Sequence, residues 1–132
     1  MDKKFYDSKN YPLQNETDLI IATGIEIHKI LGAGFLEIVY KDAFEYEFGM
    51  KDIFYEREKK YQINYKNIIL PHFFYADFIV FDSVILEIKA KQAGIAEEDY
   101  AKTINYLKIS GCKVGLILNF AKLKLEIKRV VF

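Results

Sequence analysis

At 132 residues, 52% hydrophobic and 16% aromatic, the chain is sized for one globular domain and is not a disordered segment. No run is apolar enough to span a membrane, the opening MDKKFYDSKN does not read as a signal peptide, and the one cysteine, Cys112, excludes an internal disulfide and fits a reducing cytoplasm. A net charge of zero argues against nucleic acid, but residues 1–85 hold 10 Lys/Arg against 14 Asp/Glu and residues 86–132 hold 9 against 5, a weak pointer to a polyanionic ligand at the basic half.

Residues 1–14 mix charges with Tyr11-Pro12 and read as a flexible arm, and residues 15–132 as a single domain. Asn15 is placed to cap a helix, with Asp18 as its capping-box partner. Leu19, Ile20, Ala22, Thr23, Ile27, Ile30 and Leu31 recur at helical spacing until Gly32 and Gly34 end the helix. His28 has no second His or Cys at ligand spacing and reads as a surface or packing residue. A second helix is predicted from about Phe35 to Phe48, closed by Gly49, with Phe44 and Phe48 on its inner face. Gly34, Glu37 and Tyr40 fall at helical spacing and share a side. Glu37 lies two turns before Phe44, so its carboxylate either has a partner or a metal, or is an exposed acid favoured by the helix dipole. The pattern leaves both readings open.

From Ile53 to Leu70 the chain alternates as a hairpin, with Lys66-Asn67 as the turn and Asn67 as its left-handed residue. Pro71 then belongs at a strand edge or a bulge, and His72 reads as structural. The stretch Phe73 to Lys91, FFYADFIVFDSVILEIKAK, is the most apolar of the chain and reads as two strands broken at Asp82-Ser83. Alternation puts Glu87 and Lys89 on one face and Val84, Leu86, Ile88 and Ala90 on the other. A two-residue loop would pair Phe81 with Val84 and set Asp77 opposite Ile88, on the wrong face. An odd-length loop or a bulge between Ile79 and Ile85 brings Asp77 opposite Glu87 or Lys89, and this is the arrangement predicted. The plainer reading makes Asp77 a strand-edge residue and Glu87-Lys89 a solvated pair.

Glu97 to Asp99 open a third helix, Tyr100, Ile104 and Leu107 form its stripe, and Gly111 closes it. Lys102 and Tyr106 share a neighbouring face. VGLILNF reads as a buried parallel strand and Leu125 to Phe132 as a last alternating one. The predicted order is α-α-β-β-β-β-α-β-β, an α/β domain with a mixed sheet.

Gly34-Phe35-Leu36-Glu37-Ile38-Val39-Tyr40 is a GxxExxY signature. Together with Asp77, the Glu87-Ile88-Lys89 triplet, NYLKISG and VGLILNF, it makes the chain from about residue 17 to 132 resemble the small GxxExxY protein family of the PD-(D/E)XK nuclease-like superfamily. The resemblance implies a restriction-endonuclease-like core, a mixed β-sheet flanked by α-helices. It implies catalytic roles for Glu37, Asp77, Glu87 and Lys89, with Asp77, Glu87, the Ile88 carbonyl and Glu37 around Mg²⁺ or Mn²⁺. Tyr40, Lys91, Lys102 and Tyr106 become candidates for substrate contact, and Lys108 and Lys113 for the nucleic-acid backbone. Two residues depart from the pattern: Ala76 precedes the aspartate in place of proline, and Lys102 stands where many relatives carry glutamine.

The implied activity is metal-dependent hydrolysis of phosphodiester bonds in DNA or RNA. Nucleases of this kind often dimerise to cut two strands, which suggests a homodimer. The neutral charge and small size favour a second reading, an inactive nuclease-fold module that binds nucleic acid or a protein partner. Hydrolysis of a small phosphorylated metabolite is a third, and would need a closed pocket in place of an open groove.

Overall fold

A computed structural model describes residues 12–132. The elements are α1 (Gln14–Leu31), α2 (Glu37–Met50), β1 (Tyr55–Tyr65), β2 (Ile68–Val80), β3 (Val84–Lys89), α3 (Glu97–Ser110), β4 (Val114–Asn119) and β5 (Glu126–Val131). The arm expected over residues 1–14 lies outside the described residues up to Tyr11, and Gln14 already belongs to α1. Leu13, not Asn15, precedes the helix, in a left-handed conformation. Its carbonyl accepts from the Thr17 amide (2.9 Å) and from Thr17 Oγ1 (3.1 Å). Arg129 of β5 fastens this end of the helix by donating to Thr17 Oγ1 (2.6 Å) and to the Pro12 carbonyl.

The strands form one sheet in the order β1-β2-β3-β4-β5. β3 and β4 run parallel and the other neighbours antiparallel, so the sheet is mixed. Five strands stand where six were expected, because β2 runs unbroken through Pro71. The register explains why. Gln62 pairs with Phe73 and Asn64 with Ile69, so Ile63 alone faces Leu70, Pro71 and His72. Proline sits in this bulge, where its missing N–H costs no ladder bond. At the hairpin tip Lys66, not Asn67, takes the left-handed conformation.

Strand alternation gives the sheet two apolar faces. Phe78, Val80, Val84, Leu86, Ile88, Leu116 and Leu118 pack with α1 and α2 through Ile20, Ile27, Tyr40, Phe44 and Phe48. Ile79, Ile85 and Ile117 pack with Tyr106 and Leu107 of α3. Ile20, Thr23 and Ile27 lie on the inner face of α1 as expected, Leu19 and Ile30 turn outward, and Gly24 joins the inner face.

α3 lies close over β4 at Gly115, where an added Cβ would meet the Thr103 methyl at 2.6 Å. Thr103 cannot swing away freely, because its hydroxyl donates to the Asp99 carbonyl (2.9 Å). Gly115→Ala should therefore destabilise the fold by about 1–3 kcal/mol in urea denaturation, by overpacking. Adding Thr103→Ser, which deletes that methyl, should recover part of the loss.

Candidate active site

The loop between β2 and β3 has three residues, Phe81, Asp82 and Ser83, with Val80 paired to Val84. An odd-length loop or a bulge is the arrangement the sequence predicts here, and Phe81 and Asp82 adopt left-handed φ values of 58° and 54° to make the loop. The register, carried one step beyond the last ladder pair, Phe78 with Leu86, sets Asp77 across from Glu87. There the backbone ladder gives way to side chains. The Asp77 amide donates to Glu87 Oε2 (2.8 Å), and the Ile88 amide donates to Asp77 Oδ2 (2.8 Å).

β2 also changes face at this point. Phe74, Ala76 and Ile79 pack toward α3, whereas Phe78 and Val80 pack toward α1 and α2. Strict alternation is therefore broken around Asp77. Across from it on β1, between the pairs Arg57–Phe78 and Lys59–Ala76, Glu58 has φ 54°. The kink brings in a residue of α2: Lys41 Nζ lies 2.9 Å from Asp77 Oδ1 and 2.6 Å from Glu58 Oε1. Burial works against the Lys41 ammonium, but these two bonds outweigh it and hold its pKa above the usual lysine value.

Glu87 is only 2% exposed, and among the described residues no Lys or Arg lies within ion-pair distance of it. Burial, and then the charge of Asp77, push its carboxyl up to about 8, although the Asp77 amide, Lys89 and Lys102 pull the other way. Glu37 opens α2 half-buried, and its pKa is raised by burial and then by Asp77, against Lys89, Lys41 and Lys102. It thus feels the same charges as the acid pair. Among the described residues no three His, Cys, Asp or Glu side chains group closely enough to hold an ion. Two hard carboxylates, one of them buried without a counter-ion, still suit Mg²⁺ or Mn²⁺. A small hard cation keeps several waters and takes one or two carboxylates.

Lys89 ends β3 with its ammonium 3.9 Å from Asp99 Oδ1. Asp99 is buried in the first turn of α3, where Oδ2 accepts from the Ala96 amide (2.8 Å) and from Lys91 Nζ (2.8 Å). Its pKa stays low despite burial, because the Ala96 amide and the two lysines favour the charged form. Lys91, expected at the substrate, is instead committed to Asp99 and to Glu98 at 3.6 Å. Lys102 is exposed, with its ammonium 5.9 Å from the centre of the Tyr106 ring.

Two expected substrate contacts are corrected by burial. Tyr40 is wholly buried and stacks on Phe120 at 4.4 Å. Its hydroxyl donates to the Gly32 carbonyl (2.6 Å) and accepts from the Phe35 amide (3.2 Å). It clamps the turn between α1 and α2, where Gly34 has φ 109°. Tyr and Gly of the GxxExxY signature thus position the Glu. Tyr106 is 2% exposed and donates to the Tyr75 carbonyl (2.7 Å), so it ties α3 to β2. Lys41, Glu58 and Asp99 were missed. Lys41 stands four residues after Glu37, one helical turn on, a spacing that could have found it. Glu58 carries no such signal, since only the kinked pairing brings it to Asp77.

A mixed sheet with an aspartate and an ExK triplet on adjacent strands, and a helical acid within reach of their charges, marks a restriction-endonuclease-like α/β protein. The comparisons agree. The chain belongs to the PD-(D/E)XK nuclease superfamily, whose family model matches residues 14–130. The crystal structure of SSO0001 shares the fold at a TM-score of 0.56 and 18% identity, over 96% of this chain and 59% of that one. The chain therefore spans about three-fifths of that protein's length. No curated protein matches it.

The raised carboxyl of Glu87 sets a pH dependence. Its folded pKa of about 8 lies above the ordinary 4.5, so through that window the folded state keeps a proton that the unfolded chain has lost. The resulting stability is full below the lower value and is lost as pH rises to the upper one. In metal-free buffer the melting temperature should fall between about pH 5 and about pH 8. Glu87→Gln, which cannot ionise, should flatten that fall.

Proposed function

We propose that the domain hydrolyses phosphodiester bonds of DNA or RNA with Mg²⁺ or Mn²⁺, as a GxxExxY protein of its superfamily. The observation that carries this reading is Glu87: a buried carboxylate beside a second acid, with no ammonium or guanidinium within ion-pair distance among the described residues. Burial favours its protonated form, so ionising it at neutral pH calls for a cation. Asp77, Glu87 and the Ile88 carbonyl would hold it, and Glu37 would bind one of its waters. The ion supplies positive charge at the phosphate and makes water more acidic at neutral pH.

The protein's own groups do the remaining work. Lys89, anchored by Asp99, directs its ammonium toward the attacking water and the phosphate as a point charge. Exposed Lys102, Lys108 and Lys113 follow the nucleic-acid backbone. No helix among the described residues is long and apolar enough to cross a membrane, and the lone cysteine is free, which suits a reducing, cytoplasmic setting. Cutting both strands would use a homodimer.

The Lys41–Asp77 ion pair favours a second reading, in which the acids are neutralised internally and the domain only binds a partner. Cleavage assays separate the two. On the nuclease reading, single- and double-stranded DNA and RNA are cut only with Mg²⁺ or Mn²⁺. Glu87→Ala and Lys89→Ala each lose about a hundredfold or more in rate while circular dichroism stays unchanged. Undiminished cutting in both variants would reject the site, and the lack of any metal-dependent cutting would favour the binding module.

A further inference from the structure

We propose that Lys41 occupies the cation position at Asp77 in the metal-free protein, so that the Lys41–Asp77 pair and a bound divalent ion exclude one another. The inference rests on reading Asp77 and Glu87 as metal ligands, and it assigns a role to a residue outside that ligand set.

The geometry leaves few choices. Asp77 has two carboxylate oxygens, and Oδ2 is held by the Ile88 amide at 2.8 Å. Among the described residues Oδ1 takes no backbone bond and is the oxygen more open to a cation, and Lys41 Nζ lies 2.9 Å from it. Lys41 is only 8% exposed, so an ion that takes Oδ1 cannot simply send the ammonium into water. Glu58 supplies the alternative. Its Oε1 lies 2.6 Å from the same ammonium, and β1 lies on the other side of β2 from the strand that carries Glu87. It stands opposite Asp77 on β1 in a left-handed conformation that aims it there. Lys41 can thus release Asp77 and remain paired. The metal-free protein gains a neutralised Asp77, and the loaded protein keeps no buried ammonium without a partner.

Glu87 marks the limit of this arrangement. Lys41 lies within ion-pair distance of Asp77 but not of Glu87. The internal cation therefore neutralises half of the acid pair and leaves the other half to attract an ion.

Titration calorimetry with Mn²⁺ on the full chain tests this. Lys41→Met should bind Mn²⁺ about tenfold more tightly or better, because no ammonium competes for Oδ1. Glu58→Gln should bind more weakly than the unaltered chain, because Lys41 loses the partner that lets it leave. Lys51→Met, which removes an ammonium hydrogen-bonded to Thr23 at 2.9 Å, should leave the affinity within about twofold. Melting curves check the fold. Lys41→Met should melt lower than the unaltered chain without Mn²⁺, and should gain more from saturating Mn²⁺. Equal affinity with and without Lys41 overturns the proposal and leaves the metal site standing. No Mn²⁺ binding in any variant overturns both. A Lys41→Met chain that saturating Mn²⁺ does not restore to a folded state also overturns it.

Discussion

The crossed pair of bonds between Asp77 and Glu87 is the constraint on which the site depends. Where β2 and β3 part, two backbone amides lose their ladder acceptors, and a buried amide without an acceptor is costly. Each acid accepts from the opposite strand, Glu87 from the Asp77 amide and Asp77 from the Ile88 amide. The strands can therefore separate without leaving donors unmet. The same bonds fix the two carboxylates side by side with other oxygens to spare. Structure and chemistry are set by one device here.

Around that device the charges are arranged unequally. Asp77 has Lys41, which also reaches Glu58. Lys89 and Lys91 share Asp99 at the start of α3. Glu87, the most buried acid of the group, has an amide and no ion pair. Burial, and then the charge of Asp77, therefore raise the carboxyl of Glu87. α2 and α3 thus each deliver charged side chains to the fork, and the contact at Gly115 keeps α3 close enough to do so.

Much of this was legible in the sequence, and the reasons are local. The register of β2 on β3 followed from asking which loop length could bring Asp77 to Glu87, because side chains alternate with a period of two. The parallel β4 is visible in the apolar run VGLIL that opens it. Pro71 reads as a strand edge or a bulge, because sequence cannot tell a bulge in one strand from a gap between two, and the structure has the bulge. Tyr40 and Tyr106 are substrate candidates only through the resemblance, and both are buried. Spacing says which side of a helix a residue takes, but not whether that side meets solvent or core. Glu58 is out of reach for a different reason: its meeting with Lys41 and Asp77 depends on a kink in β1 and β2 that no local pattern records.

The outer strands of the sheet carry a consequence for assembly. Among the described residues one edge is β1, whose run Glu56-Arg57-Glu58-Lys59-Lys60 is fully charged, and the other is β5, with Glu126, Lys128 and Arg129. Ionic side chains along a free edge discourage a neighbouring molecule from adding its own strand by backbone pairing. Two copies of this domain would therefore not join by extending the sheet. Any pairing would have to use helix surfaces or the outer half of the β1–β2 hairpin, where Tyr65, Ile68 and Ile69 are exposed.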